Sequence, residues 1–304
     1  MKFDDDYQSA NVEDRRGQRA SGVGKAAGGG GILTVVIVIV YVVMGGDAKD
    51  GMKVANTVNS VRNGGASATS SEGGEGKAGE GTGKPDPAQE KTAKLVSAVL
   101  KDTEVTWNGL FEKMGKTYEE PKLVLFDEAV DSACGYQTAA VGPFYCPADK
   151  KAYLDLTFFG ELDKKFGAPG DFAQAYVVAH EIGHHVQNLL GTSTDVHRQK
   201  QGVSKEKANE LSVRLELQAD CYSGVWAFHA EEGRDALESG DIKEGLDAAN
   251  AIGDDTLQKR GQGRAVPESF THGTSAQRIK WFKVGMKTGD PGDCDTFKGS
   301  YAAL

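Results

Sequence analysis

Two histidines four residues apart, with a glutamate directly after the first, stand at His180-Glu181-Ile182-Gly183-His184. Positions i and i+4 of a helix share a face, so both imidazoles can reach one zinc ion at about 2.0–2.1 Å. Glu181, one step round the helix, is set to take a proton from a metal-activated water and later hand it to a leaving amine. That is the chemistry of zinc-dependent peptide hydrolysis. The pattern arises by chance in roughly one chain in a hundred of this size, so a third ligand has to decide.

A metzincin arrangement would need glycine at position 187 and histidine at 190, but the chain has Gln187 and Leu190. A glutamate from a later helix is the other solution. Glu216 lies 216 − 184 = 32 residues after the second histidine, room for a connection and an antiparallel helical return. Asp220, four residues on, shares its face and is placed to accept the second N–H of a ligand imidazole. Two histidines, one glutamate and an open position are what a catalytic zinc requires. Bland readings stand beside this one. His180 and His184 as core residues with Glu216 a solvated helix charge would remove the site. A sphere closed by Cys221 would leave a non-catalytic, membrane-tethered zinc module. A zinc amidase acting on a non-peptide bond would use the same ligands. His185 reads as packing or solvent-facing, and His197 and His229 as surface residues.

YVVAHEIGHHVQNLLG, ELQADCYSGVWAFHA and SFTHGTSAQRIKWF together resemble the bacterial neutral zinc metallopeptidase family, over the chain from about residue 91 to its end. The ExxAD arrangement also looks like that of the CAAX-prenyl-protease group, which is gluzincin-like. The resemblance implies a zincin-like fold, one zinc per chain held by His180, His184 and Glu216, Glu181 as base, and an N-terminal membrane anchor. His272 matches the position from which related gluzincins steady an oxyanion.

These residues need elements to hold them. Asp171 with Gln174 three residues on resembles a capping box, and Gly191 is a C-terminal stop, so the spacing predicts a helix over about 171–190. A second long helix is expected from Ser204 to about Ala230, a third after Gly240, and a fourth opening at Thr274 with Gln277 in the capping position. Before them, residues 122–126, 137–141 and 152–156 read as short strands. Residues 91–115 read as helical in two pieces, broken near Asp102 or Thr103. The whole is α+β: a small antiparallel sheet followed by a mainly helical region.

The net charge of −9 excludes nucleic acid as the main partner, since a phosphate-binding surface needs clustered Lys and Arg. Four cysteines without a C-x-x-C pair fit two disulfides, Cys134–Cys146 across a short loop and, by elimination, Cys221–Cys294. Such bonds persist in an oxidising compartment. Residues 26–46 hold no charge, and 21 residues at 1.5 Å each span about 31 Å, enough for a bilayer core. Arg15, Arg16, Arg19 and Lys25 precede that segment, which sets an expected topology. Residues 1–25 form a cytoplasmic leader, 26–46 a single transmembrane helix, 47–90 a flexible Gly/Ser-rich tether, and 91–304 an extracellular or periplasmic catalytic domain acting on peptide or unfolded protein.

Overall fold

Two five-residue runs, buried along nearly their whole length, make the centre of the sheet. The computed structural model describes residues 1–18 and 86–304. Its strands are β1 (Val12–Asp14), β2 (Lys122–Phe126), β3 (Ala129–Ser132), β4 (Gly135–Thr138), β5 (Phe144–Cys146) and β6 (Lys151–Asp155). The helices are α1 (Pro87–Lys113), α2 (Thr157–Lys164), α3 (Asp171–Leu190), α4 (Thr192–Lys200), α5 (Lys205–Arg234), α6 (Asp241–Ala251), α7 (Asp254–Gln262) and α8 (Ser275–Thr288). The sheet order is β1-β2-β6-β5, with β1, β2 and β6 parallel and β5 antiparallel on the edge. The antiparallel sheet expected from sequence is therefore corrected to a mixed one. Apolar runs of this length report burial, and continuous burial is the mark of parallel strands, but they carry no direction. Among the described residues, antiparallel pairing is confined to β5 on β6 and to the separate β3–β4 hairpin. The strand expected over 137–141 ends at Thr138, where the chain turns into a 3-10 segment and then Gly142 at φ 81°.

The helical expectations hold more closely. α3 spans 171–190 and stops at Gly191, whose φ of 87° suits glycine. α8 opens with the full reciprocal capping box of Thr274 and Gln277. Asp171 does not cap α3; Gly170 holds the cap position, and the Asp171 carboxylate accepts from the Met1 ammonium at 2.6 Å. α1 is one helix rather than two. Asp102, fully buried in its middle, accepts from Trp226 Nε1 at 2.8 Å and from Arg234, so a residue that favours caps is used for a tertiary contact instead. α5 and α8 approach until their backbones touch. A Cβ on Gly224 would strike the Phe282 carbonyl, and one on Gly285 the Cys221 carbonyl. Trp107, Tyr176, Phe172, Trp226 and Phe282 fill the core between the sheet and these helices.

The N-terminal segment is the largest departure from the sequence reading. Residues 1–18 are not a leader apart from the domain: β1 is the outer strand of its sheet, and α1 starts at Pro87, inside the expected tether. The expected transmembrane helix at 26–46 and the rest of the tether lie outside the described residues. Among the described residues no helix is long and apolar enough to cross a membrane. Both expected disulfides are present, Cys134–Cys146 and Cys221–Cys294.

Candidate active site

α3 and α5 pack closely because Gly183, inside the His-Glu-x-x-His stretch, faces the backbone of α5. A Cβ there would lie 2.9 Å from the Ala219 carbonyl oxygen. This approach brings Glu216 under the two histidines. His180 Nε2 lies 3.2 Å and His184 Nε2 3.5 Å from Glu216 Oε2. Two donors each about 2.05 Å from a tetrahedral zinc would stand about 3.3 Å apart. The separations bracket that value, so the three side chains fit a zinc ion.

The far side of each ring is held as well. His180 Nδ1 bonds Asp220 Oδ1 at 2.8 Å, and His184 Nδ1 bonds Gln187 Oε1 at 2.9 Å. Neither acceptor has a proton to give, so both Nδ1 atoms carry hydrogen and both Nε2 atoms face the Glu216 carboxylate. Asp220 accepts three further bonds, from Tyr176 Oη at 2.5 Å and from Arg278 Nε and Nη2 at 2.9 Å each. Burial would raise its carboxyl, but Arg278 and His180 outweigh that and hold it at about 2. Gln187, fully buried, also donates to the Leu215 carbonyl at 2.6 Å and to Gln218 Oε1 at 3.1 Å. One amide thereby fixes His184 on α3 and the main chain next to Glu216 on α5.

The charges converge in the same way. Burial pushes the Glu181 carboxyl above its ordinary range, which suits a base working near neutrality. Burial would likewise raise Glu216, but the His184 and His180 imidazoles hold it well below that range. His184 is pushed up to about 9, the Glu216 carboxylate overcoming the opposite effect of burial.

His272 lies on the loop before α8, half-exposed. Burial of its ring would lower its pKa, but Asp254 and the field of Glu216 raise it. Asp254, at the start of α7, accepts from His272 Nδ1 at 3.2 Å and from the main-chain amides of Thr271, His272 and Gly273 at 2.7, 2.6 and 3.1 Å. His185 does not face the zinc position. It is buried between Tyr145 Oη, 2.9 Å from Nδ1, and the Glu119 carbonyl, which accepts from Nε2 at 2.6 Å.

The structure thus gathers His180, His184, Glu216 and Asp220, places Glu181 beside the two histidines, and sets His272 within electrostatic reach of Glu216. Gln187, Arg278 and Asp254 were missed as partners of the site. Gln187 lies three residues beyond His184, on the same helical face, and that spacing was the available signal. Arg278 and Asp254 join through tertiary contacts that sequence spacing does not encode. A second carboxylate group, Asp171, Asp241 and Glu244, is separate from this site, and its Asp171 and Asp241 pair with the Met1 ammonium together with Glu238.

His180, His184 and Glu216, brought together by two antiparallel helices, form a His-His-Glu cluster that could hold a metal ion. The chain belongs to the family described as "Putative neutral zinc metallopeptidase", whose model matches residues 1–297. It is 53% identical over 211 residues to "Uncharacterized protein YpfJ" of Escherichia coli (strain K12), covering 69% of this chain and 73% of that protein. It is 49% identical over 193 residues to "Uncharacterized protein Rv2575" of Mycobacterium tuberculosis (strain ATCC 25618 / H37Rv), covering 60% of this chain and 64% of the other. No solved structure matches the chain significantly.

Proposed function

We propose that the protein is a zinc-dependent endopeptidase with His180, His184 and Glu216 as the metal ligands. The observation that carries this is the convergence of the two Nε2 atoms on Glu216 Oε2 at 3.2 and 3.5 Å, with each Nδ1 proton already engaged. Zinc, when bound, supplies Lewis acidity towards a carbonyl and lowers the pKa of water towards about 7. Glu181 takes the proton of the attacking water and delivers it to the leaving amine. Burial raises its carboxyl above the ordinary carboxylate range, the direction a base that also returns the proton needs. His272, with Nδ1 turned to Asp254, offers Nε2 to the developing oxyanion. An extended peptide fits the free edge of β5, which runs beside α3. Pro143 and Glu181 line one small cavity between the strand and the helix, and Tyr145 is hydrogen-bonded to His185 and Asn188.

The two disulfides support an oxidising compartment for the domain, and the uncharged run of residues 26–46 supports contact with a bilayer. The test pairs metal content with cleavage of an unfolded protein by the full chain and its Glu181→Gln variant. Zinc in both, with cleavage by the wild type and a loss of about 10²–10⁴-fold in the variant, is the expected result. Zinc in both with equal activity towards casein, or none in either, would overturn the assignment of the base. Failure to bind zinc would overturn the site.

A further inference from the structure

Residues 1–18 are built into the domain rather than laid upon it. β1 pairs in parallel with β2, Val12 opposite Leu123 and Asp14 opposite Leu125. The ladder extends at both ends, with Leu123 N donating to Asn11 O at 3.0 Å and Arg15 N to Leu125 O at 2.8 Å. Glu13 meets Lys122 of the adjacent β2 at 3.1 Å and Lys151 of β6, one strand further in, at 2.9 Å. On the other flank the segment satisfies α1. Glu104 is 1% exposed, and its Oε1 takes Ser9 Oγ at 2.5 Å and Asn11 Nδ2 at 2.8 Å. Its other oxygen has Lys101 Nζ at 3.2 Å. Without residues 9–11 this buried carboxylate would lose two of those three donors, a cost the fold would not carry for an optional contact. The family match also begins at residue 1.

Arg16 and Gly17 meet the first turn of α1 and Asp127 at one corner of the domain. Arg16 Nη2 bonds Glu90 Oε1, in the first turn of α1, at 2.8 Å, and Gly17 N donates to Asp127 Oδ2 at 2.7 Å. A single crossing of a bilayer separates the ends of a segment by the hydrocarbon thickness of about 30 Å, which these contacts do not permit. We propose that residues 1–18 and 87–304 form one folded unit that lies whole in a single compartment. That compartment is the oxidising one required by the two disulfides, so the N-terminus shares the compartment of the site. This replaces the topology with a cytoplasmic N-terminus and a domain outside.

The test uses the full chain in its native membrane. All four native cysteines are paired, so a single introduced thiol is the only one an impermeant maleimide can label. Asp5→Cys and Lys243→Cys place it on side chains 97% and 79% exposed, on the N-terminal segment and on α6. Both are expected to label in intact spheroplasts and to gain nothing on permeabilisation. Labelling of one in intact cells and of the other only after permeabilisation would overturn the proposal, as would labelling of both only after permeabilisation. Hydrogen exchange on the membrane-bound chain gives an independent reading. Peptides covering 11–15 and 122–126 are expected to be protected together, and free exchange of 11–15 beside a protected α3 would refute docking.

Discussion

Replacing Gln187 by methionine keeps the volume and removes every polar contact of the amide. The His184 Nδ1–H then has no acceptor, and the Leu215 carbonyl and Gln218 Oε1 each lose a donor. Each buried group left unpaired costs about 1–3 kcal/mol, so the fold is weakened. The larger interest is the metal. With Nδ1 released, the His184 ring is free to turn about its Cβ–Cγ bond, and Nε2 is no longer held 3.5 Å from Glu216 Oε2. Loss of a partner behind a ligand histidine lowers metal affinity by about 10–100-fold, equivalent to about 1.4–2.8 kcal/mol. Competition against a chromophoric chelator measures this directly. Gln187→Glu separates position from packing, because it keeps an acceptor facing Nδ1 while losing both amide donors. It is expected to be destabilised yet to recover most of the affinity. Zinc binding by Gln187→Met within about threefold of wild type would refute the positioning role, leaving the amide as a packing element.

Zinc uptake is expected to release protons at neutral pH, because His184 sits at about 9 and a ligand nitrogen must be free of hydrogen. Affinity should therefore weaken as pH falls below 9, by up to about tenfold per unit for one proton. Calorimetry in buffers of different ionisation enthalpy measures the proton count, and zero release at pH 7 would contradict the charge state. His185 is pushed down to about 4 by burial, so the fold keeps it neutral. Its folded value lies below the unfolded value of about 6.5, so its contribution is present above pH 6.5 and is lost as pH falls towards 4. The loss amounts to about 3 kcal/mol. Urea unfolding of wild type at pH 7 and 4.5 should show it, and His185→Gln should show a smaller pH difference. The disulfides differ in the chain they enclose, 12 residues for Cys134–Cys146 and 73 for Cys221–Cys294. Loop entropy gives about 3 and about 4 kcal/mol, so paired Cys→Ser replacement should lower the melting temperature more at the second bond, and the reverse order would argue for strain or residual denatured structure.

The parts of this molecule that were legible in the sequence are the local ones. α3, α5, α6 and α8 announce themselves through helical spacing and through Gly191, Ser204 and the Thr274–Gln277 pair, since caps are read within four residues. The clustering of the proposed ligands was legible for the same reason: i to i+4 spacing puts His180 beside His184, and Glu216 beside Asp220. What spacing cannot encode is which element meets which. Strand direction was misread because a buried run looks alike in either orientation. Asp102 was taken for a helix break because its partners, Trp226 and Arg234, lie more than a hundred residues away. The N-terminal segment was taken for a leader because three residues of β1 carry little pattern. Its meaning depends on Glu104 and on the β2 edge. Arg278 and Asp254 belong to the site only through the packing of α8 and α7.

The two histidines proposed as ligands are held by different chemistry, and the difference bears on the charge of the site. His184 leans on a neutral amide, which adds nothing. His180 leans on Asp220, a full negative charge, yet that carboxylate is bound through two nitrogens by Arg278, itself 3% exposed. The pair is neutral as a unit, so it orients His180 without passing a net charge to the metal position. Two neutral imidazoles and Glu216 then leave a bound divalent zinc with a net charge of about +1. Removing Arg278 would disturb this more than removing Asp220 and Arg278 together, because a lone Asp220 would be a buried, unpaired charge behind His180. Arg278→Met is accordingly expected to cost more stability than Asp220→Asn/Arg278→Met, whose neutral amide still accepts from His180 Nδ1. The metal-free chains compared by urea unfolding decide the order, and a less stable double variant would show that Asp220 is held by Tyr176 and His180 alone.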